Sequence, residues 1–216
     1  MAFINGNSSI ITNGLQILYD PSNNQSINNT STAYNVVNNS YSGTMTGLAL
    51  PSTTPKSLSF DGTDDKILVS GTLTDATYWT FNFWTKNNGA QSATYERLLG
   101  MSSYRIEIAE DTTGQLRYYE GAWRTTSVYF GTEWVNMVVL RNSSTSKMQV
   151  YKNGELVYTS SSNDGRSITG YNMAIGSKWD SGEHWNGLIG LVGIYNRTLS
   201  AAEILQNYNA LKDRFQ

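Results

Sequence analysis

The stretch "YWTFNFWTK", residues 78–86, alternates. Trp79, Phe81 and Phe83 point one way and Thr80 and Asn82 the other, the period of two expected of a half-buried β-strand. The same reading extends outward from it. "SYRIEIAE" (103–110) sets Tyr104, Ile106 and Ile108 against Ser103, Arg105 and Glu107. "EWVNMVVLR" (133–141) and "GLIGLVGIYN" (187–196) are apolar on both faces, as central strands are. In "KMQVYKNGELVYTS" (147–160), Asn153-Gly154 supplies the positive φ values of a type I′ hairpin turn. About ten or more such strands, separated by Gly- and Asn-rich turns, predict an all-β antiparallel β-sandwich or jelly roll.

The end of the chain breaks the pattern. In "YNRTLSAAEILQNYNALKDRF" (195–215), Ser200 and Glu203 form a capping box, and Leu199 and Ile204 stand at the staple positions. Ile204, Tyr208, Leu211 and Phe215 then recur at helical spacing, giving one C-terminal α-helix with a single apolar stripe. A helix of this length is not stable alone. It is expected to cover either the outer face of a strand or the open end of the sandwich.

Composition narrows the partners. Of 216 residues, 39% are hydrophobic, 12% aromatic and only 15% charged, with a net charge of −2. So neutral a chain has no electrostatic pull toward nucleic acid or anionic membranes. The absence of cysteine excludes disulfides, thiolate metal sites and a cysteine nucleophile. The N-terminus has neither a basic region nor a long apolar run, so no signal peptide is expected, and no segment is long enough to span a bilayer. Residues 1–60 carry only Asp20 and Lys56 as charges, yet Tyr19, Tyr34 and Tyr41 argue for strands in a loop-rich region and not for disorder. With no internal repeat and no linker, one domain is expected over 1–216, its core at about 15–215.

Several segments, in order, resemble the laminin-G-like (concanavalin A-like lectin/glucanase) jelly rolls of bacterial and phage proteins. "LQILYDPSN" is similar to that family's opening strand, "SLSFDGTDDKILV" to its most recognisable motif, and "WTFNFWTK" to the strand that follows. "WVNMVVLRNSSTSKMQVYKNGELV" resembles its Tyr-x-Asn-Gly strand pair, and "IGSKWDSGEHWNGLIGLVGIYNRTLSAAEI" its closing strand and terminal helix. The opening "INGNSSIITNGLQILYDPSN" is similar to jelly-roll proteins among the structural genes of tailed phages. That resemblance implies a non-enzymatic virion protein, a head decoration or a tail or neck accessory. It would be made in the host cytoplasm and carried in many copies beside other capsid or tail proteins. The alternative is a stand-alone carbohydrate-binding, lectin-like adhesion module that recognises surface polysaccharide. Fold alone does not decide between them.

Three groups of residues carry candidate chemistry. "FDGTDD" gathers Asp61, Asp64 and Asp65, hard oxygen ligands suited to Ca²⁺, which the resemblance also implies; the competing reading is a tight Asp-Gly turn. No cofactor is required. "LRYYEGAW" and "SKWDSGEHW" place Tyr118, Tyr119, Trp123, Trp179, His184 and Trp185 in or beside loops, where rings can stack on sugars or fill a protein interface. A share of these rings is expected in the core, and His184, without a second histidine, is read as a surface hydrogen-bonding residue. Finally, a retaining glycosidase needs two carboxylates about 5–5.5 Å apart on one face. In "RIEIAEDTTG" Glu107 and Glu110 fall on opposite strand faces, Asp111 lies four residues from Glu107, and no Glu-x-Asp occurs, so no enzyme is expected.

Overall fold

A computed structural model describes residues 9–38, 40–49, 54–89, 94–163, 165–180 and 182–216. The alternating stretch is strand β6 (Thr80–Asn87), paired antiparallel with β15 (Asn186–Tyr195) on one side and β11 (Val135–Arg141) on the other. Outward from this centre, β15 pairs with β1 (Leu15–Tyr19) and with β4 (Leu58–Asp61). Beyond β11 come β12 (Met148–Lys152) and the edge strand β13 (Glu155–Thr159). The second sheet has eight strands. Its order is β10 (Trp123–Tyr129), β9 (Gln115–Tyr119), β8 (Glu107–Asp111), β7 (Tyr95–Met101), β14 (Met173–Ile175), β5 (Lys66–Val69), β3 (Gly43–Thr46) and β2 (Thr32–Ala33). Every pairing between these strands is antiparallel. Between the sheets Trp79, Phe81 and Phe83 pack with Phe60, Met137 and Ile108 in one buried core. The hairpin turn is as read, with Asn153 at φ 52° and Gly154 at φ 85° between β12 and β13.

The other face of β6 is not wet. Thr80, Asn82 and Trp84 are all buried, because helix α1 (Ala201–Phe215) lies across the outer face of the seven-stranded sheet. Thr80 and Asn82 are hydrogen-bonded there: Thr80 Oγ1 donates to Arg197 O at 2.9 Å and accepts from Leu199 N at 3.0 Å, and Asn136 Nδ2 donates to Asn82 Oδ1 at 2.6 Å. Trp84 stacks with Phe215 at 4.5 Å and with Tyr208 at 5.8 Å. Ile204, Leu211 and Phe215 are buried in this second cluster, so the apolar stripe seals the strand face. Both ends of the helix are anchored. The Ser200–Glu203 capping box is formed, and Arg197 grips Glu203 through two bonds of 3.0 and 2.7 Å. Near the C-terminus Arg214 holds Asp20 at 3.0 and 2.7 Å.

The Asn-rich first third is held by its own side chains. Asn35, buried, accepts from Leu18 N at 2.9 Å and Val37 N at 3.2 Å, and donates to Gln16 O at 2.8 Å and Ser40 O at 2.9 Å. Asp20, Asn23, Asn29 and Asn38 each accept from a backbone N–H two residues on, the local bonding that makes such residues turn formers. One element departs from the sequence reading. Ser102–Tyr104 is a 3₁₀ turn, with Ser103 and Tyr104 at φ 57° and 49°, and the strand begins only at Glu107. Two consecutive left-handed residues cannot continue a β-strand, so Tyr104 turns outward to solvent instead of joining Ile106 and Ile108 in the core.

Candidate functional site

On the solvent side of the eight-stranded sheet, register sets Gly100, Glu107, Tyr119 and Trp123 side by side across β7, β8, β9 and β10. The neighbouring row is Arg97, Ala109, Arg117 and Thr125. Ala109 is small, which leaves room above it for larger side chains to lean in. Tyr95 stacks on Trp123 at 4.5 Å, Trp123 meets Tyr119 edge-on at 5.4 Å, and Tyr119 meets Tyr104 at 6.4 Å. The result is a ribbon of four rings across the sheet face, half-exposed at Tyr95, Tyr119 and Trp123 and open to solvent at Tyr104.

Under the ribbon lies a buried charge network. The Arg97 guanidinium sits 4.5 Å from the Trp123 ring and 5.0 Å from Tyr95, near enough for cation–π attraction. Its Nε donates to Glu107 Oε2 at 3.1 Å and its Nη2 reaches Glu183 at 2.7 Å. Arg97 and Glu107 are 3% and 1% exposed, so the rings shield this pair from water. Burial pushes the Glu107 carboxyl above the usual carboxylate range, and Arg97 opposes the shift without cancelling it.

The loop after β14 completes the site. It crosses the sheet directly over Gly100, where an added Cβ would lie 2.7 Å from Ser177 O and 2.8 Å from Lys178 Cα. Only glycine permits that approach. The crossing brings Trp179, half-buried, beside Tyr104 and Glu107. Lys178 reaches Asp180 at 3.4 Å and sits 4.8 Å from the Tyr104 ring, while Tyr104 OH donates to Asp180 Oδ2 at 3.2 Å. Farther along, Arg97 N donates to Glu183 O at 3.1 Å, which ties the loop back to β7.

Of the six aromatic and histidine candidates, Tyr119, Trp123 and Trp179 lie at this site. Tyr118 and Trp185 do not: both are fully buried between the sheets, with Tyr118 against Tyr158 and Trp185 edge-on to Phe130 at 5.2 Å. Tyr118 alternates with Tyr119 and so takes the opposite, inner face; Trp185 leads into β15 as it enters the core. His184, read as a surface residue, is buried: its Nδ1 lies 3.2 Å from Asp65 O and its backbone forms an isolated bridge with Arg97. Sequence reading passed over Tyr95, Arg97 and Glu107 as parts of a binding surface. The period of two puts Glu107 and Tyr119 on a definite strand face, but only cross-strand register shows that they share it with Tyr95 and Trp123.

Asp61, Asp64 and Asp65 do come together, each offering an oxygen within 4.8 Å of the others. They also serve the turn. Asp61 Oδ1 accepts from Thr63 N at 2.8 Å, Asp65 Oδ2 accepts from Asp61 N at 2.8 Å, and Gly62 takes φ 80°. Asp61 and Asp64 face solvent and Asp65 is buried, its carboxyl raised chiefly by desolvation. The hard oxygens suit a divalent cation of the Ca²⁺ type. Glu107 and Glu110 fall on opposite faces as expected: Glu110 points into the sandwich and accepts from Asn87 Nδ2, which belongs to the other sheet. Asp111 is the last residue of β8 and accepts from Thr113 N at 2.9 Å and Gln115 N at 3.2 Å, capping the turn. A further concavity, by Ile10, Leu15, Leu18 and Val36, has no ring or charge in its described lining.

The family model described as the concanavalin A-like lectin/glucanases superfamily matches residues 61–205, more than half of the chain, and the chain belongs to that superfamily. No protein of curated function matches its sequence. Among solved structures, Trypanosoma rangeli sialidase superposes with a TM-score of 0.73 at 15% identity, over 96% of this chain and 34% of the sialidase. Domain 4 of AbnA, a GH43 extracellular arabinanase from Geobacillus stearothermophilus solved with arabinotriose, gives 0.68 at 17% identity, over 90% of this chain and 98% of that domain. A structure of botulinum neurotoxin type C, whose cell entry is described as dependent upon interaction with two ganglioside molecules, gives 0.66 at 15%, over 92% of this chain and 51% of that one. This chain thus spans about a third of the sialidase's length. At such identities the likeness is one of fold.

Proposed function

We propose that this chain is a non-enzymatic carbohydrate-binding module whose ligand lies along the ring ribbon on the outer face of the eight-stranded sheet. The single observation that carries the reading is the ribbon itself: Tyr95, Trp123, Tyr119 and Tyr104 succeed one another at 4.5, 5.4 and 6.4 Å. Ring faces stack on the C–H surfaces of sugars, and the surrounding Asp180, Lys178 and Trp179 offer polar groups and one more ring at the rim. Glu107 and Glu183 are both engaged by Arg97, so a guanidinium stands where a glycosidic bond would need to sit between two carboxylates. That supports binding without hydrolysis. Ca²⁺ at Asp61, Asp64 and Asp65 belongs to the same proposal, as an ion that stiffens the loop bonded to His184.

The test uses protein labelled with ¹⁵N at its six tryptophan indoles and titrated with surface polysaccharides and their oligosaccharides. Trp123 and Trp179 should shift while buried Trp79, Trp84 and Trp185 stay still. Trp123→Ala should weaken binding by about tenfold or more. If no glycan moves Trp123, with or without Ca²⁺, the reading fails.

A second reading places the module on a tailed-phage particle, attached to other virion proteins. It is favoured by β13, where Leu156 and Val157 are 49% and 42% exposed on an edge strand that could add to a neighbour's sheet. Mass spectrometry of purified particles tests it; absence of the chain from them would refute it.

A further inference from the structure

At the Tyr104 end of the ribbon, between the 3₁₀ turn and the crossing loop, lies a recess lined by Met101, Ser103, Tyr104, Glu107 and the Lys178–Asp180 segment. It has room for about one water-sized group. Most polar atoms around it are spoken for. Lys178 is on Asp180, Tyr104 OH is on Asp180, and Glu107 Oε2 is on Arg97. Glu107 Oε1 is buried and has no hydrogen-bond partner among the described residues; the same holds for Arg97 Nη1, but Arg97 is not part of the recess lining. A buried carboxylate oxygen without a donor is costly, and Glu107 lines a recess that a single hydroxyl would fill.

We propose that this recess receives one hydroxyl or hydroxymethyl group of a neutral sugar residue, which donates its proton to Glu107 Oε1 while the sugar ring rests against Tyr104 and Trp179. The assignment rests on the carbohydrate reading above and adds a ligand class to it. A uronic or sialic acid carboxylate entering here would add a negative charge where Glu107, Glu183 and Asp180 already outnumber Arg97 and Lys178. Arg97 is already shared by Glu107 and Glu183, and Lys178 is held by Asp180. Acidic sugars are therefore rejected at this end of the ribbon, and neutral hexoses are accepted.

The experiment compares gluco-, manno- and galacto-hexaoses with their C6-oxidised counterparts, using the Trp123 and Trp179 indole signals of the full chain. Neutral probes should bind about tenfold or more tightly than oxidised ones, the scale of a hydrogen bond to a charged acceptor. Glu107→Gln, which keeps the shape and removes the charge, should shrink that ratio to about threefold or less. If neutral and oxidised probes bind the wild type alike and Trp123→Ala abolishes both, the ribbon reading stands and the recess assignment falls. If no probe moves either indole, both fall. Should Glu107→Gln fail to fold, as its melting curve would reveal, the wild-type comparison decides alone.

Discussion

Gly190 lies in β15 beneath the closing helix, and the ring of Phe215 occupies the space that a side chain there would need. A Cβ added at Gly190 would collide with Phe215 Cε1 and lie 2.8 Å from its Cζ and 3.1 Å from Trp134 Cη2. The backbone is no obstacle, since Gly190 is not among the glycines at positive φ. Whatever Gly190→Ala costs is therefore collision, and overpacking a well-filled core costs about 1–3 kcal/mol. Phe215→Ala removes a ring that is 4% exposed and stacked on Trp84, which places its cost at about 3–5 kcal/mol. In the double variant the new methyl enters the volume that the ring vacated. The two single costs should then exceed the double cost by about 1–3 kcal/mol. Urea unfolding followed by tryptophan fluorescence measures all three, helped by the contact of Trp84 and Trp134 with Phe215. Costs that add to within about 0.5 kcal/mol would refute the claim that this ring seals the sheet at Gly190.

Other outcomes follow from the same contacts. Arg197 and the Ser200 groups hold the Glu203 carboxyl down at about 2, against 4.5 for the free group. Its contribution to stability is complete above pH 4.5 and is lost as the pH falls from there toward about 2; Glu203→Gln should flatten that acid limb in denaturation midpoints taken at successive pH values. Asn35→Ala strands the Leu18 and Val37 amides and should cost about 1–3 kcal/mol, with hydrogen exchange at those two amides rising before exchange elsewhere; unchanged protection would contradict the hub role. If the aspartate cluster holds Ca²⁺, the melting temperature should climb with Ca²⁺ concentration and Asp64→Asn should blunt the rise. A melting temperature indifferent to Ca²⁺ leaves Asp61 and Asp65 as turn residues only.

Much of the architecture was legible because its causes are local. Trp79, Phe81 and Phe83 alternate, Asn153-Gly154 adopts positive φ, and Ser200 and Glu203 cap each other three residues apart; each depends on neighbours within one or two turns of chain. Tyr104 was misread because alternation alone does not reveal a pair of left-handed residues ahead of a strand. The same limit explains the aromatic candidates. Tyr118 and Tyr119 are chemically identical neighbours, and one is core while the other belongs to the ribbon.

By itself, then, the order of residues determined two antiparallel sheets and a capped closing helix, since period, turn conformation and capping are short-range physics. Which rings would meet was decided only in three dimensions. Cross-strand register, the crossing of the Ser177–Trp179 loop over Gly100 and the choice of face turned toward the core are set by contacts between segments far apart in the chain. A side chain's burial depends on what is packed over it, and for Glu107, Arg97 and Trp123 that cover comes from other strands.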